Sequence, residues 1–183
     1  MVKKMKKILL VLMVLLLVGC EKDLNNTPTK RVEVFLGNYQ SLSEEVRARI
    51  VSDVDDMPNL TEEEKESYVK LWERHYQGMT YDIKDELVDG DDATVQVEIE
   101  VSDYSKIVKD STEYLNQNPE MFQDDLGNYS FSKFNDYKIN RMSNSNEKVK
   151  YTIEFKLKKI DKKWVLQDLN DEEYLKLSGM YDY

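Results

Sequence analysis

Three kinds of side chain in this sequence could do chemistry: a thiol, an imidazole and a large set of carboxylates. The thiol is Cys20, the sole cysteine, and the imidazole is His75, the sole histidine. One thiol forms no intrachain disulfide, and one thiol with one imidazole falls short of a zinc site. The 36 Asp+Glu outnumber the 26 Lys+Arg, giving a net charge of −10. That balance argues against nucleic acid as a partner, because phosphates are neutralised by a basic surface. No Gly-x-Ser-x-Gly elbow and no glycine-rich phosphate loop occurs, so neither a serine nucleophile nor a nucleotide has a motif. Asp53, Asp55 and Asp56 with Glu62, Glu63 and Glu64 form an acidic cluster. Its spacing does not match a calcium loop, nor does that of Asp89–Asp92 or of Asp124–Asn128. These stretches read as solvated helix faces and turns. No cofactor is expected.

Cys20 carries the most informative surroundings. Lys3, Lys4, Lys6 and Lys7 precede an unbroken apolar run from Ile8 to Val18, and Leu17-Val18-Gly19 leads directly into Cys20. Eleven apolar residues are too few to cross about 30 Å of hydrocarbon. They suit the apolar region of a secretory signal peptide. The motif Leu17-Val18-Gly19-Cys20 resembles the lipobox of bacterial lipoproteins. The resemblance implies that the thiol is alkylated by diacylglycerol and the chain is cleaved before Cys20. Residues 1–19 are then the signal peptide. Residues 20–29 are the lipidated cysteine and a polar tether, and residues 30–183 are a single domain. Two or three acyl chains on one residue give stable attachment where a single chain is marginal. Removal of the leader leaves 22 basic and 36 acidic side chains, a net charge of −14. The expected location is the outer face of the bacterial cell membrane, held there by lipid.

The remaining residues predict the elements that position any site. Thr27-Pro28 is a helix start, and Val32, Phe35, Leu36 and Tyr39 share one face. Ser41 and Glu44 have capping-box spacing ahead of Val46, Ile50 and Val54. Thr61 and Glu64 form a second box ahead of Tyr68, Leu71, Trp72 and Tyr76, with the helix ending near Gly78. Alternation then takes over. Tyr81, Ile83, Asp85 and Leu87 share a parity, and Ala93, Val95, Val97, Ile99 and Val101 form the cleanest strand. A turn at Val88–Asp92 joins them as a hairpin. A helix from Tyr104 stops before Asn118-Pro119, and a short one includes Phe131, Phe134 and Ile139. Val149, Tyr151, Ile153, Phe155 and Leu157 alternate again before a tight turn at Asp161-Lys162. Asp171–Met180 closes the chain as a short helix. Hairpins set apart from the first helices predict an α+β fold, a curved antiparallel sheet packed by the N-terminal helices.

The hairpin Tyr81–Val101, with Val-Asp-Gly-Asp-Asp-Ala-Thr-Val at its turn, resembles the central hairpin of nuclear transport factor 2-like (cystatin-like) domains. Lys150–Leu169, with Trp164 after the turn, resembles their last hairpin. The resemblance implies a cone-shaped domain with a pocket, a scaffold that serves isomerases and dehydratases as well as binding modules. By strand parity Asp85 faces inward, where an apolar setting would raise its pKa and make it a pocket base. The function expected is a membrane-anchored, non-enzymatic module binding a small ligand or a protein partner. The alternative is a small-molecule acid/base enzyme working in the cone.

Overall fold

The structure is a computed structural model and describes residues 26–182. Leu17, Val18, Gly19 and Cys20 lie outside the described residues.

Three helices open the fold. α1 (Pro28–Ser41) starts where Thr27 Oγ1 accepts the Lys30 N–H at 3.1 Å, with proline at its first position. Pro28 is already buried, so residues 26–29 pack with the body instead of extending a tether. α2 (Glu44–Asp55) is capped by Ser43, not Ser41. Ser41 remains in α1, which stops one residue later because Leu42 turns left-handed, with φ 53°. α3 (Glu62–Gln77) carries the full capping box of Thr61 and Glu64.

Four antiparallel strands follow in the order β1 (Thr80–Asp89), β2 (Asp92–Ser102), β3 (Lys148–Ile160), β4 (Lys163–Leu166). Between β2 and β3 the chain forms α4 (Tyr104–Gln117), a 3₁₀ turn (Pro119–Phe122) and α5 (Phe131–Asn144), a full four-turn helix rather than a short one. α6 (Asp171–Leu177) ends the fold. Mixed helices with one open antiparallel sheet make this an α+β protein.

Two apolar clusters hold the layers together. In the first, Val95, Val97, Ile99, Tyr151, Ile153 and Phe155 on one sheet face meet Val32, Leu36 and Tyr39 of α1. In the second, Val54, Tyr68 and Leu71 meet Tyr104, Ile107, Ile139 and Met142 from α4 and α5. Val69 and Trp72 of α3 pack against both clusters, and α3 touches α1 and β2 as well as α5. The opposite sheet face is polar. Glu98 there pairs with Lys150 at 3.1 Å and Lys84 at 3.5 Å.

Candidate functional site

Asp85 does not reach a pocket. The β1–β2 register shifts between Ile83 and Asp85, so Lys84 is an extra residue and every later side chain changes face. Asp85 pairs with Gln96 on the polar face, is exposed, and accepts the Glu86 N–H at 2.9 Å. The expectation of an inward Asp85 rested on uninterrupted alternation, which the bulge breaks. Glu86 takes the helix side instead, where its carboxylate meets the N-terminus of α1. The inner sheet face itself is filled: Phe155, Leu36, Ile99 and Ile153 are all essentially inaccessible.

An opening lies elsewhere, along the helices. A groove of about 710 Å³ runs between α2, α3 and α6. Trp72 and Tyr76, stacked at 6.3 Å with planes 27° apart, supply its aromatic surface. Ile50, Met57, Leu175 and Met180 supply the rest of its apolar lining, and Arg49, Asp53 and Asp171 its charges. Arg49 is held in place by phenols. Its Nη1 donates to the Tyr39 hydroxyl at 3.2 Å and to the Tyr174 hydroxyl, and its guanidinium lies 5.5 Å from the Tyr174 ring centre. Burial raises the Tyr39 and Tyr76 phenols above their ordinary range, so both stay protonated near neutrality. Sequence periodicity marked Tyr39, Trp72 and Tyr76 as core residues. Arg49 and Tyr174 had no local signal, because they are 125 residues apart and meet only when α6 docks.

Two further polar arrangements are buried. His75 donates from Nε2 to the Leu177 carbonyl at 3.0 Å, while its Nδ1 is buried without a hydrogen-bond partner. Burial pushes its pKa down to about 4, so the ring is neutral at pH 7. Trp72, Tyr76 and Tyr104 surround it. On the far side of α3, the Tyr68 hydroxyl donates to Asn135 Oδ1 at 2.6 Å. Asn135 Nδ2 and Ser132 Oγ in turn donate to Glu64 Oε1, each at 3.1 Å. Glu64 Oε2 accepts the Thr61 N–H at 2.7 Å. Every oxygen of this carboxylate is therefore occupied, which makes it a structural joint between α3 and α5.

Among the described residues no cluster of three His, Cys, Asp or Glu could hold a metal ion. Lys65, paired with Asp55 at 3.1 Å and Glu62 at 3.2 Å, sits inside the acidic cluster noted in the sequence. Among the described residues no helix is long and apolar enough to cross a membrane. No protein-family model, no curated protein and no solved structure matches the chain.

Proposed function

We propose that this chain is an extracytoplasmic lipoprotein, attached to the membrane through acyl chains on Cys20, whose domain binds a small amphipathic ligand. The α2–α3–α6 groove is the observation that carries the binding role. An aromatic and aliphatic lining suits an apolar body, and a few placed polar groups, here Arg49, Asp53 and Asp171, suit polar ends. The Leu17-Val18-Gly19-Cys20 motif supports the anchor. Helices leading into antiparallel hairpins support the nuclear transport factor 2-like reading of the fold, with the groove beside the sheet–helix core rather than inside a cone.

The acid/base alternative has no observation in its favour, since Asp85 is exposed and the inner sheet face is filled. A protein partner remains the other class of occupant.

Native mass spectrometry of the chain released gently from its membrane tests the binding role. An added small mass is expected on the wild type and lost in Leu175→Trp, which fills the groove from α6. A bare wild-type mass overturns the small-ligand reading, and crosslinking on the cell surface then tests for a protein partner.

A further inference from the structure

The described chain begins bound to one end of the sheet. Asn26 Nδ2 donates to the Lys162 carbonyl at 2.8 Å, and Asn26 Oδ1 accepts the Trp164 N–H at 3.1 Å. The β3–β4 turn is therefore clamped to a residue six positions after Cys20. Six residues reach at most about 20–22 Å even when fully extended. An acyl group on Cys20 consequently holds this turn within that distance of the bilayer.

The turn has the composition for such a neighbour. In a chain of net charge −10, residues 156–163 contain five lysines and one aspartate. Asp161 and Lys162 both take positive φ, 48° and 65°, giving the tight two-residue turn that thrusts the hairpin outward. Ile160 and Val165 beside it are 52% and 45% exposed. The acidic turn ahead of β2, with Asp89, Asp91 and Asp92, abuts this hairpin and draws Lys158 to within 3.9 Å of Asp92. Lys159, Lys162 and Lys163 make no ion pair with a described residue. Lys159 lies instead over the Trp164 ring, 5.3 Å from its centre. The surplus positive charge thus lies around the turn that Asn26 clamps.

We propose that the β3–β4 turn is a lipid-facing surface, with Lys159, Lys162 and Lys163 on anionic phospholipid headgroups and Ile160 and Val165 at the headgroup boundary. The proposal takes the anchor at Cys20 from the reading above and adds an orientation to it. An acyl anchor combined with a polybasic patch is a two-signal attachment. It also points the α2–α3–α6 groove by fixing which end of the domain is down.

Amine acetylation footprinting of the full chain tests this. The chain is reconstituted in vesicles of phosphatidylglycerol with phosphatidylcholine, in phosphatidylcholine alone, and in detergent. Mass spectrometry of one digest reads both lysine modification and the Cys20 peptide. Lys70, whose side chain is 71% exposed on α3, is the internal reference. The expected result is a slowing of about threefold or more at Lys159, Lys162 and Lys163 relative to Lys70, on phosphatidylglycerol vesicles only. Acylated Cys20 with unchanged lysine rates overturns the surface and leaves the anchor standing. Slowed lysines with unmodified Cys20 keep the surface and overturn the anchor. Equal slowing on both vesicle types, or slowing that persists in detergent with a co-purified protein, overturns the assignment to anionic lipid.

Discussion

Thr29 donates both its backbone N–H, at 2.9 Å, and its hydroxyl, at 2.6 Å, to one carboxylate oxygen of Glu86. A strand residue 57 positions away thus neutralises the positive end of α1, as a local capping acid would. The relationship exists only because the β1 bulge turns Glu86, and not Asp85, toward the helix. Glu86→Ala is expected to lower stability by about 1 kcal/mol. Asp85→Ala, one residue away on the polar face, should stay within about 0.5 kcal/mol of wild type. Urea titration of the two variants decides, and equal effects would remove the distinction between them.

Asn135 links Tyr68 to Glu64 inside the α3–α5 joint. Asn135→Ala leaves the Tyr68 hydroxyl without its acceptor and removes one donor from a buried carboxylate. The expected loss is about 1–3 kcal/mol. Calorimetry showing less than a few tenths would mean that this network contributes nothing net.

Gly179 has φ 68°, and a Cβ there would overlap the Ser102 carbonyl oxygen. Its own carbonyl accepts the Tyr104 and Ser105 N–H groups, each at 2.9 Å, at the start of α4. Gly127 has φ 82° but open space around it. Gly127→Ala should cost only the conformational penalty of about 1 kcal/mol, and Gly179→Ala clearly more, since backbone must move. Similar melting temperatures for the two variants would refute the close packing of the C-terminal segment on β2.

His75 makes stability pH-dependent. Its folded pKa, about 4, lies below the ordinary 6.5. At pH 7 the ring is neutral in the folded state and mostly neutral in the unfolded one, so little is lost. As pH falls below 6.5 the unfolded chain takes up a proton that the folded chain refuses until about pH 4. Stability should therefore drop across that window, by up to about 3 kcal/mol at its lower end. Glu64, held below its usual range although burial opposes this, adds a loss only at the acidic end. Thermal melts of wild type and His75→Gln from pH 7 to pH 4 check this. The variant should show a shallower decline, and parallel curves would contradict the neutral, buried imidazole.

Much of the fold was legible in the residues because the clearest signals were local. Thr27-Pro28 and Thr61 with Glu64 start helices where expected, and the alternation from Ala93 to Val101 is the buried face of β2. Asp161-Lys162 forms the tight turn. Ser41 with Glu44 has the capping-box spacing, yet Ser43, with Val46 three residues on, is the residue that caps. Only the left-handed Leu42 between them decides which one caps. The site was much less legible. Asp85 followed a parity that one extra residue reversed, and strand alternation carries no mark of a bulge. Arg49, Tyr174 and Asn26 find their partners across more than a hundred residues, except for the Arg49–Tyr39 contact, so no spacing encodes them.

A lipid anchor at Cys20 would give the docked Asn26, the basic β3–β4 turn and the groove a common setting. The intact mass of the chain extracted from bacterial membranes tests it directly, with Cys20→Ala alongside. The expected result is a chain beginning at Cys20 and carrying a diacylglyceryl mass, and an unprocessed, unlabelled Cys20→Ala precursor. A chain that retains Met1, or a free Cys20 thiol, would contradict it.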